Sequence, residues 1–381
     1  MSEVVQPPGS WFQRILLPGF VFKGVVIGGG YATGRELVEF FFASGPVGAL
    51  YGILLAMLVW SIVCAASFAF AQAVRGYDYR SFFRQLLGPF WILFELAYLA
   101  LIVLIIAVIA AAAGTTGTTL LRWPGWLGTG LLMGAIVAVC SFGSAGVERM
   151  FKVSSLFLYA IYALFVILTL SQFGDRTVAN LAGGAADGSW ASGGLLYASY
   201  NVVGVVAVLP FLVHQRSRRD AILSGLLAGP LAMLPGLLFF LSMIAFYPAI
   251  GNEALPSNFL LARIGLGWFT LLFNLMLFVA LLETGVGGVN AITDRVADAY
   301  QARRHAAFPR LGFLALSTLI VFGSGVVAAQ VGLIDLIAKG YGAFAYVMLG
   351  IFILPLLTIG LWRLSRQPRR SDATSAMHSD P

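Results

Sequence analysis

The sequence predicts an all-α polytopic membrane protein whose ten transmembrane helices form two inverted repeats of five. The first observation is the composition: the 381 residues are 60% hydrophobic and 10% charged, whereas soluble domains carry about 25% charged residues. The second is the spacing of apolar stretches, and the third is the distribution of lysine and arginine between the loops. A soluble fold is excluded, and the net charge of +7 becomes a matter of membrane topology and not of nucleic-acid binding.

Ten apolar stretches are long enough to cross a bilayer core, which takes about 20 helical residues. We number them spans 1 to 10, and they occupy residues 17–43, 46–73, 89–118, 127–143, 153–173, 193–212, 221–248, 259–293, 310–330 and 335–362. Two further segments, 174–192 and 249–258, are expected to form outer lids.

Lysine and arginine predict the orientation of these spans. With the N-terminus inside, eighteen of them fall in inside loops, and four, Arg122, Arg176, Arg263 and Lys339, fall outside. Positively charged residues accumulate on the cytoplasmic side, so both termini are expected in the cytoplasm. A missed span would invert every later loop and spoil this pattern.

The resulting organisation has five parts. Because five spans is an odd number, the second half must run inverted relative to the first. The parts are a cytoplasmic N-terminus at 1–16, a first repeat at 17–173, an outer loop at 174–192, a second repeat at 193–365 and a disordered cytoplasmic tail at 366–381.

A glycine triplet interrupts span 1 near its middle, and Arg35 and Glu36 follow it. Each glycine costs about 1 kcal/mol relative to alanine inside a helix, so a plain anchor would not carry three. Span 6 has a matching interruption at residues 200–204, about 173 positions later. Discontinuous helices in two inverted halves mark the binding site of a secondary transporter.

Freed amides at the triplet suit an anionic group such as a carboxylate. The alternative is that the glycines only permit close helix packing. Arg35 has two open roles, a bidentate grip on a substrate carboxylate or a structural ion pair, and Glu36 is expected to be structural. The expected substrate-binding residues are Gly28, Gly29, Gly30, Thr33, Arg35, Tyr98, Tyr197, Tyr200, Asn201 and Gly204.

Glu283 lies within the apolar run of span 8 and is the candidate coupling residue. Burial favours the protonated form of a carboxyl group, so Glu283 is expected to bind a proton or, with hydroxyl and carbonyl oxygens, Na⁺. The alternative is a structural ion pair with Lys23 or Lys152. No cofactor is expected beyond H⁺ or Na⁺ as a coupling ion.

Three other acidic residues have simpler expected roles. Asp335 and Lys339 are four residues apart and are expected to pair along one helix face. Glu95 is expected to meet arginines on the inner side, and Glu39 to be solvated.

An enzyme is not expected. The three histidines, His214, His305 and His378, fall in predicted inside loops or the tail, and no HExxH pair or Cys/His cluster is present. The two cysteines lie in apolar segments and predict no disulfide.

Two motifs carry a family resemblance. The segment IGGGYATGRELVEFF in span 1 and the segment YASYNVVGVVAVLPF in span 6 resemble signatures of the YkvI family of bacterial membrane proteins, and the likeness extends over residues 17–362. That family is placed in the amino acid–polyamine–organocation transporter superfamily. The resemblance implies the leucine-transporter fold and a substrate site between spans 1, 3, 6 and 8.

The resemblance also implies a cation position. Its ligands would be the carbonyls of Gly24 and Ile27 together with Ala280, Glu283 and Thr284 of span 8. This chain departs from the pattern, because Glu283 replaces a small or hydroxyl residue, which favours proton coupling. Arg35 stands where glutamine is expected.

The sequence therefore predicts a secondary active transporter of the bacterial inner membrane. It would move a small carboxylate-bearing solute, most simply an amino acid, by alternating access coupled to H⁺ or Na⁺. Its expected partners are that solute and the lipid bilayer, with no nucleic acid, and no oligomeric state follows. One alternative is a transporter-fold receptor that binds a solute without net transport. Another is a passive channel, but a continuous pore does not need two interrupted helices at the midplane.

Overall fold

The structure is a computed structural model that describes residues 10–141, 144–186 and 188–366, and for residues 29 and 144–156 the backbone alone. Within these ranges every regular element is helical. Most of the expected N-terminal segment 1–16 and all but the first residue of the expected tail 366–381 lie outside the described residues. So does the side chain of Lys152.

The first five spans are helical over the predicted stretches. A helix at Tyr79–Leu87 connects spans 2 and 3, and its first turn is capped by Asp78, whose carboxylate accepts from the Ser81 amide at 2.9 Å. The spans are Phe12–Leu16, Leu17–Val26, Gly29–Thr33 and Arg35–Phe41 for span 1, Gly45–Val74 for span 2, Trp91–Leu121 for span 3, Gly125–Ser141 for span 4 and Ser144–Ala182 for span 5.

The second five spans follow in the same way, with two short helices, Ala249–Asn252 and Pro256–Ile264, between spans 7 and 8. Span 10 contains three π-helical stretches, Leu336–Tyr341, Leu349–Ile353 and Leu356–Gly360. The spans are Trp190–Asn201, Val202–Gly204, Val205–Val208 and Leu209–His214 for span 6, Arg218–Ile244 for span 7, Gly267–Arg304 for span 8, Arg310–Val331 for span 9 and Leu333–Arg366 for span 10.

The predicted architecture of ten spans is confirmed. Among the described residues, eight helical runs, which contain spans 2, 3 and 5 to 10, are long and apolar enough to cross a bilayer. Span 4 is a shorter apolar helix, and span 1 is divided by its interruptions.

The contacts between spans obey the inverted repeat. In such a repeat span n corresponds to span n+5, so each contact should have a counterpart in the other half. Spans 1 and 7 pack together, as do spans 6 and 2; spans 3 and 4 pack together, as do 8 and 9; spans 3 and 9 pack together, as do 8 and 4. Spans 2 and 7, which correspond to each other, form the most extensive interface.

Small residues let spans 2 and 7 approach closely, as is common between membrane helices. A Cβ added at Gly225 would collide with the backbone of Ala65, and one added at Gly229 would collide with the backbone of span 2. Pro230 has no amide to bond to Leu226 O, and Ser61 Oγ donates to that carbonyl at 2.9 Å instead. The interface therefore supplies the hydrogen bond that the proline removes.

Two boundaries differ from the predictions. The stretch 259–293, predicted as one span, is two helices, because Gly265 adopts a left-handed conformation with φ +75° and ends the helix that starts at Pro256. The segment predicted as an outer loop at 174–192 is helical up to Ala182 and again from Trp190. Hydropathy alone does not locate these ends, since polar residues are compatible with helices that extend past the apolar core.

Polar contacts gather at the two ends of the bundle. We name these the Arg14 end, where span 1 begins, and the Arg35 end, where it finishes. At the Arg14 end, Arg14 Nη1 lies 3.1 Å from Asp220 Oδ2 and ties span 1 to the start of span 7. Gln215 Nε2 donates to Ser224 Oγ at 2.6 Å nearby. These contacts hold spans 1, 6 and 7 together at this end.

Replacing Gly225 by valine should destabilise the protein, because the new side chain has no room against Ala65. Overpacking costs about 1–3 kcal/mol of the free energy of unfolding, so the melting temperature in detergent should fall. The matched control is Gly134→Val in span 4, where an added Cβ meets nothing within 4 Å and the melting temperature should hold. Equal melting temperatures for the two variants would contradict the close packing described here.

Candidate functional site

Span 1 loses its helical backbone at Ile27 and Gly28, where the glycine triplet predicts an interruption. Ile27 has φ −82° and ψ 73°, and Gly28 is extended with φ −97° and ψ −172°. The Ile27 amide donates to Lys23 O at 2.8 Å, and the next helical bond is that from the Ala32 amide to Gly28 O at 3.2 Å. The amides of residues 29–31 therefore precede the first hydrogen bond of the following helical segment.

A second interruption, which the sequence analysis did not predict, follows at Gly34. This residue is left-handed, with φ +81° and ψ −9°, a conformation that glycine adopts readily. An added Cβ would lie 2.9 Å from the ring of Phe239 and 3.1 Å from Pro256. An isolated glycine near the end of a helical stretch can indicate such a helix end. Gly34 follows the triplet so closely that the sequence does not distinguish its effect from that of the triplet.

The segment between the two interruptions, Gly29–Thr33, has five residues. So short a segment provides only a small macrodipole. The Thr33 hydroxyl donates to Gly30 O at 2.6 Å and accepts from the Arg35 amide at 3.2 Å. Thr33, predicted to bind substrate, stabilises the backbone between the interruptions.

Span 8 lies directly against the first interruption. A Cβ added at Gly28 would be 3.1 Å from Thr284 Oγ1, and that hydroxyl donates to Ala280 O at 2.9 Å. Glu283 is partly buried and lies close enough to Tyr159 of span 5 to interact with it electrostatically. Thr284, one member of the predicted ion-coupling set, therefore meets span 1 at its interruption, and its hydroxyl is bonded to Ala280, another member.

The part of span 1 just before the interruption borders open space. A Cβ added at Gly24 meets nothing within 4 Å, and Val25 is 45% exposed. Lys23 Nζ lies 3.9 Å from the centroid of the Tyr159 ring, within the range of a cation–π contact. Lys23 and Glu283 thus both lie near Tyr159, on three different spans.

Arg35 is 6% exposed and its guanidinium group is bound at the Arg35 end. Nη1 donates to Gly251 O at 3.0 Å and to Glu253 O at 3.2 Å, and Nη2 lies 2.7 Å from Glu39 Oε2. Of the two roles open for Arg35, a grip on a substrate carboxylate and a structural ion pair, this geometry matches the structural ion pair. Glu39, expected to be solvated, is instead its ion-pair partner.

Glu36 points in a different direction from its neighbour Arg35. It is 5% exposed and accepts a hydrogen bond from Tyr200 Oη of span 6 at 2.5 Å. The Tyr200 ring stacks on Tyr341 of span 10, with centroids 4.6 Å apart, and Tyr197 packs on Phe41 at 5.0 Å. Tyr197 and Tyr200, both predicted to bind substrate, thus contact span 1 directly, and Tyr341, which was not predicted, stacks on Tyr200.

Span 6 is interrupted differently from span 1. Its α-helix gives way to a 3₁₀ turn at Val202–Gly204, and Asn201, Val202 and Gly204 all keep right-handed helical dihedrals. The interruption is therefore a tightening of the helix, of the kind often found at hinges, and not an unwound segment. The interruption predicted at residues 200–204 is therefore less marked than the one in span 1.

Two residues predicted at the span 6 interruption have other contacts. Asn201 Nδ2 donates to Tyr197 O at 3.1 Å, within its own helix. A Cβ added at Gly204 would lie 3.2 Å from the Phe22 ring and 3.5 Å from Val25 Cβ. Gly204 thus permits span 6 to approach span 1, which is the close-packing reading of a membrane glycine.

Tyr98, predicted to bind substrate, belongs to a separate cluster near the Arg14 end. The Arg295 guanidinium lies between the rings of Tyr79 and Tyr98, 4.4 and 4.5 Å from their centroids, and 3.4 Å from Glu95 Oε1. Span 3 meets the interrupted segment of span 1 at Val108, which contacts Gly30. Val108 is ten residues after Tyr98, a separation of about 15 Å along a helix. Glu95 pairs with an arginine, Arg295; that this arginine lies on the inner side stays a prediction.

The predicted pair of Asp335 and Lys339 is confirmed, with Nζ and Oδ2 3.1 Å apart on the surface of span 10.

Two cavities lie elsewhere among the described residues. One of about 480 Å³ lies at the Arg35 end between spans 1, 2 and 5, and one of about 510 Å³ lies between spans 3, 4 and 9. Neither is lined by the residues at the interruption of span 1.

Comparison with sequences leaves the family open. No protein-family model matches the chain. No curated protein matches it either. The YkvI resemblance therefore stays a prediction.

Comparison with solved structures identifies the fold. The chain resembles MhsT in complex with L-phenylalanine, with a TM-score of 0.59, 15% identity and coverage of 93% of this chain and 97% of that one. It resembles a variant of the manganese transporter of Eremococcus coleocola with a TM-score of 0.57, 17% identity and coverage of 93% and 81%. A Na⁺-coupled sialic acid symporter follows with a TM-score of 0.51, 14% identity and coverage of 91% and 86%. At these identities the likeness shows the fold, and the chain has the leucine-transporter fold.

Proposed function

We propose that this protein is a secondary active transporter that moves a small carboxylate-bearing solute, an amino acid in the simplest case, coupled to H⁺ or Na⁺. The observation that carries the proposal is the interruption of span 1 at Ile27–Gly28, held against Thr284 of span 8. Unwound backbone at membrane depth is tolerated where it is enclosed by protein or lines a cavity. The similar solved structures include a manganese transporter and a Na⁺-coupled sialic acid symporter, which supports this reading.

The amides after the interruption support a carboxylate as the recognised group. The amides of residues 29–31 precede the first bond of their segment, and a carboxylate is the strongest acceptor for adjacent N–H groups. L-phenylalanine, which MhsT binds, and sialic acid both carry a carboxylate. Arg35 is already bound elsewhere, so this proposal does not require it to grip the solute.

The orientation is part of the proposal. The distribution of arginine and lysine supports a cytoplasmic Arg14 end in the bacterial inner membrane. In that orientation Arg35, Glu36 and their partners close the outer side of span 1. The exposed face at Gly24 and Val25 precedes the interruption on the cytoplasmic half. The conformation described here is then closed to the outside.

Uptake by proteoliposomes tests the function directly. Purified protein would be reconstituted and given a mixed pool of labelled amino acids under a pH gradient and, separately, under a Na⁺ gradient. Accumulation above protein-free liposomes under either gradient is the expected result. Saturable binding without accumulation under both gradients would contradict the proposal and favour a receptor.

Replacing Gly28 by leucine should abolish uptake, because the side chain would extend into the contact with Thr284. The backbone of Gly28 is extended and accepts any residue, so the effect is one of space and not of strain. Gly134→Leu, in an open position of span 4, is the matched control and should transport like the parent. Uptake by the Gly28 variant at the parental rate would show that the solute does not pass this interruption.

Replacing Glu283 by glutamine should separate accumulation from exchange. The variant cannot change its charge, so gradient-driven accumulation should fall to the level of equilibration, while exchange of internal for external solute continues. Unchanged accumulation by Glu283→Gln would assign this residue a structural role.

Thr284→Val removes one hydroxyl oxygen beside the interruption and should raise the KM for the coupling cation by about tenfold if that cation is Na⁺, whereas Thr284→Ser should not.

A further inference from the structure

Glu36 is a buried carboxyl group without a cationic partner among the described side chains. The salt bridges of the described residues pair Arg35 with Glu39 and not with Glu36, although Arg35 is the next residue. The one hydrogen bond described for the Glu36 side chain comes from the neutral hydroxyl of Tyr200. A buried charge that is not paired is costly, so the protonation of this group matters for the structure around it.

The carboxyl group touches both broken elements of the site. Its Oε1 atom lies so close to Gly30 that an added Cβ there would collide with it, and its Oε2 atom accepts from Tyr200 of span 6. Glu36 therefore connects the segment between the two interruptions of span 1 with the helix just before the 3₁₀ turn of span 6. We call this contact the Glu36–Tyr200 latch.

The groups that face Glu36 are tyrosines from three elements. They are Tyr31 from the interrupted part of span 1, Tyr197 and Tyr200 from span 6, and Tyr341 from span 10. The hydroxyls of Tyr31 and Tyr197 are buried and make no hydrogen bond to any residue that the structure describes. The surroundings thus offer neutral hydroxyl groups and no opposite charge, and two of those hydroxyls are available to a carboxyl that changes its hydrogen bonding.

The same short helix, Arg35–Phe41, carries a second link on its other side. Arg35 binds the carbonyls of Gly251 and Glu253, directly before the helix Pro256–Ile264. Pro256 in turn packs against Gly34. Movement of Arg35–Phe41 away from span 6 would therefore also move the polypeptide that covers the Arg35 end.

We propose that Glu36 is a proton-binding site whose protonation opens the Glu36–Tyr200 latch and so permits the Arg35 end to open. The ionised carboxylate accepts a charge-assisted hydrogen bond from Tyr200, which is stronger than a neutral one. A proton taken from water at the Arg35 end forms the O–H bond of a neutral carboxyl group, and the remaining contact with Tyr200 is neutral and weaker. This inference rests on the proposed function, because it names how one proton is linked to one conformational step.

Accessibility of a buried thiol tests the latch without any substrate. Ser257 is fully buried in the helix Pro256–Ile264, and Ser192 is exposed at the same end. Each would be changed to cysteine in a background in which Cys64 and Cys140 are replaced by alanine. Maleimide labelling of the purified protein in detergent would be measured from about pH 8 to about pH 5, and the ratio of the Ser257→Cys to the Ser192→Cys rate removes the reactivity of the thiol itself.

The expected result is a ratio that rises about fivefold to tenfold as the pH falls. Glu36→Gln should give a high ratio that no longer depends on pH, and Tyr200→Phe, which removes the hydrogen bond from the other side, should do the same. Glu253→Gln is the matched control, since it keeps the carbonyl that binds Arg35, and it should keep the pH dependence of the parent.

A ratio that does not change with pH in the parent overturns the proposal, and so does pH dependence that survives in Glu36→Gln. If Glu36→Gln does not fold, Tyr200→Phe provides the same decision. These outcomes are separate from the failure of the proposed function, because a protein that transports nothing in liposomes can still show or lack the pH-dependent labelling of Ser257→Cys.

Discussion

Backbone amides and carbonyls that leave a helix inside a membrane need partners from the protein, because the hydrocarbon offers none. The interruption of span 1 is governed by this constraint. Span 1 packs on spans 6 and 7 before the interruption and on spans 3 and 8 after it, so the unwound residues are joined on both sides to segments that contact other spans. Thr33 provides side-chain hydrogen bonds where helical ones are lost. The ten-span architecture is thus the condition under which a broken helix can exist at this depth.

Much of this architecture could be predicted from the sequence, because hydropathy and charge follow directly from the bilayer. The number of spans, the inverted repeat and the first interruption all follow from such patterns. The directions of side chains did not. Arg35 and Glu36 are neighbours in a largely apolar span, so no amphipathic pattern predicts that one binds Gly251 in a short helix while the other binds Tyr200.

The glycines show the same limit at the level of the backbone. Gly28 and Gly204 look alike in sequence, since each lies near the middle of an apolar span. In the structure Gly28 is extended, whereas Gly204 is helical and receives the Phe22 ring. A glycine permits an unusual dihedral angle or a close approach, and only the neighbouring helix decides which. The interruption of span 1 was therefore predicted at the right position, while the structural contacts of Thr33, Tyr98 and Gly204 were not predicted.

The two halves of the repeat depart from the α-helix in different ways. Span 1 contains an extended residue at Gly28 and a left-handed one at Gly34, whereas span 6 keeps right-handed helical dihedrals through its 3₁₀ turn. Any movement of one half against the other would therefore require different backbone changes in the two spans. In span 1 the seven residues of Arg35–Phe41 could rotate as one unit about Gly34, whereas in span 6 the change would fall on the 3₁₀ turn at Val202–Gly204.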